Sequence, residues 1–263
     1  MPVERKLPSV SGSRELPLFY RRPVPLTLDD YQDKGLAAQG SDYSFSATTA
    51  IVPLYTDEFP KAAECYPIVF TDDECPMPVA VLGLRECNLF VCGNGTWRTG
   101  CYVPAYVERY PFIAMVAGDG ATYLAVDAAS NHLVQLPRNR NDAVVTPLFE
   151  KNGEAAPATR AAAHRCEQLV ARTRETRRFT SALVDAGALG SRIVHVRASG
   201  GSQIALRGFH VVDEAVLGSL EAGTMAEWER NGWKSLIDLH RMSAAKNWQV
   251  LVDLELRRTP LHA

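Results

Sequence analysis

Phe112-Ile113-Ala114-Met115-Val116-Ala117-Gly118-Asp119-Gly120-Ala121-Thr122-Tyr123-Leu124-Ala125-Val126 is the stretch whose reading decides the fold. Two short β-type apolar runs, 112–116 and 123–126, flank the Gly-rich link Gly118-Asp119-Gly120-Ala121. Glycine tolerates the positive φ of tight turns, so the pattern predicts an antiparallel hairpin. Upstream, Pro67-Ile68-Val69-Phe70, Val79-Ala80-Val81-Leu82 and Asn88-Leu89-Phe90-Val91 have the same character, and Gly93-Asn94-Gly95-Thr96 is a second hairpin-type link. Residues 66–136 therefore read as an antiparallel sheet.

Downstream the pattern changes. A loop with Pro137, Asn139, Asn141, Pro147 and Gly153 gives way to an Ala- and Arg-rich stretch, Ala158 to Leu189, free of proline. Leu169, Val170, Phe179, Leu183 and Val184 recur there at roughly helical spacing, predicting one or two helices. Ile193–Val196 and Ile204–Leu206 read as a hairpin across Ser199-Gly200-Gly201-Ser202. From Asp213 the tail reads as helical: Val216, Leu217 and Leu220 repeat suitably, Thr224-Met225-Ala226-Glu227 matches a capping box, and Trp233 to Arg258 is helix-prone with a break expected near Ser243. Residues 1–50, with Pro8, Pro17, Pro23, Pro25 and the polar stretch Gln39 to Ser46, read as an irregular lead-in. Strands (66–136) and helices (158–258) in separate blocks predict α+β, an antiparallel β-rich half packed with a helix-rich half, over a single domain at 51–263.

The chain has 263 residues, 46% hydrophobic and 22% charged, with 28 Lys+Arg against 30 Asp+Glu. That length and composition permit a sizeable core and exclude wholesale disorder. A pI near 6.3 argues against nucleic acid, whose binding domains usually exceed a pI of about 9. No run approaches the ~18 apolar residues of a membrane span. Met1 to Tyr20 carries Glu4, Arg5, Lys6, Arg14 and Glu15 and lacks a secretory apolar region, so cytoplasmic residence is expected.

Five of six cysteines lie between Cys65 and Cys101, but only Cys87 and Cys92 are close in sequence, and on a strand their odd offset places them on opposite faces. Reduced structural thiols are expected rather than a zinc site. The histidines at 132, 164, 195, 210, 240 and 262 are scattered, and none starts a His-x-Asp/Glu pair. His164 with Glu167 and His210 with Asp213 are i, i+3 pairs that read as solvated pairs before metal ligands. The phosphate-binding glycine motifs and the Gly-x-Ser-x-Gly elbow are absent. No cofactor and no metal is called for, and no catalytic residue is assigned.

Two segments invite a partner. Between Ala158 and Arg197, Arg160, Arg165, Arg172, Arg174, Arg177, Arg178, Arg192 and Arg197 outweigh Glu167, Glu175 and Asp185, giving about +5. Guanidinium forks grip carboxylates and phosphates, so an anionic partner is a reading for the 160–197 stretch. The second segment runs from Trp97 to Phe112. Trp97, Tyr102, Tyr106, Tyr110 and Phe112, interrupted by Pro104 and Pro111, are aromatic faces on a proline-kinked backbone of the kind that holds extended peptides, with Arg109 as an anionic anchor.

Several of these stretches resemble one family. Tyr66–Phe70, Leu82-Gly83-Leu84-Arg85-Glu86-Cys87-Asn88-Leu89-Phe90-Val91, Trp97, Tyr102–Phe112, Pro147-Leu148-Phe149 with Gly153, Leu206-Arg207-Gly208-Phe209, and Val212-Asp213-Glu214 ahead of the last helices are similar to bacterial SapC proteins over roughly Ile51 to Leu256. Glu108 stands where a basic residue is expected, and Cys87 where a small one is. The resemblance implies association with surface-layer proteins and outer-membrane uptake systems, and it carries over no catalytic residue. The combined expectation is a non-catalytic peptide- or protein-binding protein at Trp97–Phe112. The alternatives are a metal- or cofactor-dependent enzyme, an oxygenase or peptide modifier, whose site is not visible in sequence, and a structural surface-layer component.

Overall fold

A computed structural model describes residues 3–6, 16–37, 42–118, 120–137, 145–197 and 203–258. Asp119, Asn139, Asn141, the Ser199–Ser202 link, part of Gln39–Ser46, and His262 lie outside the described residues. In chain order the strands are β1 (Val3–Lys6), β2 (Pro23–Pro25), β3 (Lys34–Ala37), β4 (Ile51–Pro53), β5 (Ile68–Phe70), β6 (Pro78–Val81), β7 (Phe112–Val116), β8 (Thr122–Asp127), β9 (Leu133–Gln135), β10 (Val145–Pro147), β11 (Leu189–Ser191), β12 (Val194–Arg197), β13 (Gln203–Arg207) and β14 (His210–Val212). The helices are α1 (Leu28–Tyr31), α2 (Phe59–Ala62), α3 (Ala105–Glu108), α4 (Pro157–Asp185), α5 (Glu214–Ser219), α6 (Ala222–Arg230) and α7 (Trp233–Arg258). This is the α+β class.

The chain forms two compact units interleaved in sequence: Met1–Gly12, Tyr43–Tyr106 and Arg172–Ala263 make the first, and Ser13–Asp42 with Val107–Ala171 make the second. The first holds a five-stranded sheet ordered β11-β14-β5-β6-β4 and a three-stranded one ordered β1-β13-β12, in which β1 runs parallel to β13. β5 and β6 are buried at every position, as a short unbroken apolar run predicts for central strands. Phe70 of β5 packs on Phe179 of α4 and His240 of α7, at ring distances of 6.2 and 5.2 Å. The second unit holds β10-β3-β9 and β2-β8-β7. Its core gathers Tyr31, Phe112, Val126, Leu148, Phe149, Ala162 and Cys166.

The prolines sort as the ladder demands. Pro23 and Pro25, Pro53, and Pro147 all lie on edge strands, and Pro78 opens β6, so no central ladder loses a donor midway. The expected hairpins are present: Phe112 pairs with Val126 through Val116 with Thr122, and Val194 with Leu206. The lead-in is less irregular than its prolines suggest, because β2 and β3 each join a sheet.

Three local expectations are corrected. Residues 88–91 form no strand beyond a single bridge, Val91 to Trp97. Asn88 Oδ1 accepts the Phe90 N–H at 2.9 Å, a local turn that competes with the ladder. Thr224 does not cap a helix: α6 begins at Ala222 after an extended Glu221, which puts Thr224 inside it. The helix before it is capped instead by Asp213, whose carboxylate accepts from Ala215 N and Val216 N. Finally, α7 is unbroken at Ser243, where the hydroxyl donates to the His240 carbonyl of its own helix at 2.6 Å and accepts from Ile68 N at 3.0 Å.

Candidate functional site

The aromatic segment divides between the units, with Trp97, Tyr102 and Tyr106 in the first and Arg109, Tyr110 and Phe112 in the second. In the first unit, the turn before Trp97 needs Gly95 at φ +82°, a conformation that side chains disfavour. Trp97 is buried, and its indole N–H donates to the Tyr66 hydroxyl at 3.0 Å. That hydroxyl donates in turn to the Tyr102 carbonyl. Phe90 meets Tyr66 edge-on at 4.6 Å, and Tyr43 meets Trp97 at 5.4 Å. Burial pushes the Tyr66 hydroxyl far above its ordinary range.

Tyr102 leads to a buried carboxylate. Glu58 accepts from the Tyr102 hydroxyl at 2.8 Å, Ala105 N at 2.7 Å and Tyr55 N at 2.8 Å. Arg172 completes the cluster, 3.7 Å from Glu58 and 2.8 Å from Asp57, with its guanidinium 4.8 Å above the Tyr55 ring. Burial raises the Glu58 carboxyl, outweighing the downward pull of the two backbone N–H groups, the Tyr102 hydroxyl and Arg172.

In the second unit Tyr110 and Phe112 are buried and Arg109 half-buried. The Tyr110 hydroxyl donates to Asp127 at 3.0 Å, and Asp127 also accepts from Arg21 N, Arg22 N and Ala129 N. Arg109 sits 5.7 Å above the Tyr20 ring. Within each unit, then, these side chains are largely engaged in packing and internal hydrogen bonds.

A third buried polar group lies on α7 in the first unit. His240 Nδ1 donates to the Ile68 carbonyl at 2.8 Å, while Nε2 accepts from Val212 N at 3.3 Å, which fixes a neutral ring. Burial lowers it to about 4. Asn247, two turns on, donates to the Ala63 and Tyr66 carbonyls. These groups serve backbone that the sheet leaves unsatisfied. The other site candidates do not assemble: His164 bonds Gln168, not Glu167, and among the described residues no three His, Cys, Asp or Glu side chains converge to hold a metal ion.

What sequence reading missed is a cleft of about 870 Å³ in the first unit, bounded by α4, the Ser219–Trp228 stretch and Trp233. Arg174, Arg177, Arg178, Ser181 and Asp185 line it from α4. At 3.6 residues per turn these five positions fall within an arc of about 100°. Opposite stand Glu221, Glu227 and the buried Trp228, with half-buried Trp233 beside them. Trp233 is held by Phe179 and Trp228, at 6.2 and 6.3 Å. Arg178 pairs with Glu175 at 3.0 Å, whereas among the described residues Arg174 and Arg177 make no ion pair. The i, i+3, i+4, i+7, i+11 spacing was the available signal, but it is diluted among eight arginines.

The SapC family model matches residues 26–251, most of the chain. The chain belongs to the SapC family, as its tyrosine-proline segment and the Leu206–Phe209 stretch suggested. No curated protein and no solved structure matches it.

Proposed function

We propose that this SapC-family chain is a non-catalytic protein that binds a peptide or protein segment, and that the segment docks in the α4–α6 cleft. One observation carries the reading. Arg174 and Arg177 are exposed above a tryptophan-lined floor and make no ion pair among the described residues, whereas Glu58, Asp127 and His240 are engaged by their own unit. The hydrogen bonds of those three groups are made to the backbone and side chains of the fold rather than toward open space. An unpaired guanidinium is free to grip a carboxylate in bidentate fashion, and an indole face adds apolar area.

The sign pattern narrows the occupant. Three arginines are balanced by Asp185 on the same helix and by Glu221 and Glu227 opposite, so the lining has no net charge to attract a polyanion such as nucleic acid. A peptide with an acidic side chain for Arg174 and Arg177, an apolar or aromatic one for Trp233 and a basic one for the facing acids matches it. Surface-layer or outer-membrane uptake proteins of a bacterial cell are the partners that the family's association suggests.

The test is a short-peptide library screened against the wild type and against Arg174→Glu/Arg177→Glu. The wild type is expected to retain peptides that combine acidic, aromatic and basic residues, with affinity falling as salt rises. Equal retention by the double variant, or no enrichment in the wild type, overturns the proposal. Tyr106→Ala/Tyr110→Ala tests the aromatic segment in the same screen: loss of binding in that variant alone would return the docking site to Trp97–Phe112.

A further inference from the structure

Independently of the cleft, we propose that Cys65 and Cys101 form a reversible disulfide, making this corner of the first unit a site of thiol oxidation by low-molecular-weight disulfides. All six cysteines are free thiols in the structure, and the two concerned are each half-buried. Cys65 follows α2, and Cys101 lies in the turn before Tyr102, in a segment that the Tyr66–Trp97–Tyr102 hydrogen bonds hold in place. The backbone on both sides of Cys101 touches the Cys65 thiol: Tyr102 N donates to Cys65 Sγ at 3.5 Å, and Cys65 Sγ lies 4.0 Å from the Gly100 carbonyl. After burial, the charge of the Cys65 thiol is the largest influence on the Cys101 thiol. Thirty-odd residues separate the two in sequence, so the fold, not chain proximity, brings them together.

The chemistry balances with oxidised glutathione as the oxidant. The Cys65 thiolate attacks one glutathione sulfur, breaking its S–S bond and releasing glutathione thiolate, which leaves a mixed disulfide on Cys65. Cys101 then loses its proton and attacks Cys65 Sγ. The second glutathione leaves as thiolate and takes up a proton. Two protein thiols are oxidised by two electrons, and one small disulfide is reduced to two thiols. Closure is slow at neutral pH, because burial pushes the Cys101 thiol above its ordinary range and keeps its thiolate scarce. The Cys65 charge that also raises it in the reduced protein is absent once Cys65 is in the mixed disulfide, and the closure rate rises with pH as the Cys101 thiolate fraction grows.

The experiment treats the full folded chain with oxidised glutathione and maps peptides without reduction. Expected are loss of two of the six free thiols, a Cys65–Cys101 cross-linked peptide, and the same cross-link in Cys75→Ser/Cys92→Ser. Cys101→Ser is expected to stop at glutathionylated Cys65. Stopped-flow closure should speed up as pH rises from 7 to 9, as the Cys101 thiolate fraction grows. A wild type that stays glutathionylated at Cys65, a cross-link from Cys101 to Cys92, or formation only in denaturant each overturns the proposal.

Discussion

Arg172 and Arg174 sit two residues apart on α4 and have opposite fates. Arg172 pairs with Asp57 and Glu58 and covers the Tyr55 ring, while Arg174 faces an open cleft and makes no ion pair among the described residues. At 100° per residue, two positions turn a side chain by about 200°, nearly to the far face. One arginine is part of the fold's internal wiring, and the other is available to something else. The same residue type in the same helix thus belongs to two different physical problems, and composition cannot separate them.

The largest expected effect breaks the wired side. Glu58→Ala removes the acceptor of two backbone N–H groups and the Tyr102 hydroxyl, and leaves Arg172 short of a partner. Orphaned buried donors cost about 1–3 kcal/mol each. A loss of about 3 kcal/mol or more is expected in urea unfolding of the first unit, with Glu58→Gln milder because it retains an acceptor oxygen. A change below about 1 kcal/mol would show that the cluster is not wiring at all.

His240 gives the next effect, read through pH. Its folded pKa of about 4 lies below the ordinary histidine value near 6.5, so the folded state binds the proton less readily than the unfolded one. The stability linked to this neutral ring is fully present above about 6.5 and is lost as pH falls through the window down to about 4. Its size is at most about 3 kcal/mol. Carboxylates also titrate at the lower end, so the check is a difference. Wild type and His240→Gln should differ by a constant amount above pH 7 and converge between 6.5 and 4 in thermal unfolding. Parallel curves would place the ring's titration elsewhere.

How much of this was legible depends on what each feature requires. The hairpin at Phe112–Val126 and the Asp213 helix start are local and were readable, because short apolar runs, turn glycines and helical spacing act within a few residues. Residues 88–91 misled, since Asn88 satisfies a neighbouring N–H that a strand would have offered its partner. Ser243 misled for the opposite reason: a serine that looks like a breaker has its hydroxyl bonded both within its own helix and to β5, 175 residues away in sequence. The Trp97–Phe112 segment was recognised as unusual, but aromatic density alone does not say whether rings face a ligand or one another. Trp97 meets Tyr66 and Tyr43, and Tyr110 meets Tyr20 and Asp127, through contacts from distant parts of the chain. The cleft escaped for the same cause: Glu221, Trp228 and Trp233 meet the α4 arginines only after folding.

The smallest expected stability effects sharpen the opening contrast most. Arg172→Ala should cost about 1–2 kcal/mol, since its partner Glu58 is buried and left less compensated. Arg174→Ala and Arg177→Ala should each stay within about 0.5 kcal/mol of wild type, as substitutions of exposed side chains do when they make no ion pair among the described residues. Relief of repulsion among Arg174, Arg177 and Arg178 offsets part of any loss, because like charges three or four residues apart on a helix disfavour it by a few tenths of a kcal/mol. A residue whose removal leaves the fold unharmed and abolishes peptide retention is doing something other than folding. That pairing of outcomes is expected of Arg174 and Arg177 and not of Arg172, whose loss would weaken fold and binding together. If Arg174→Ala instead costs as much as Arg172→Ala, the cleft arginines are wired into the fold by contacts that only unfolding reveals, and the distinction between the two faces of α4 fails.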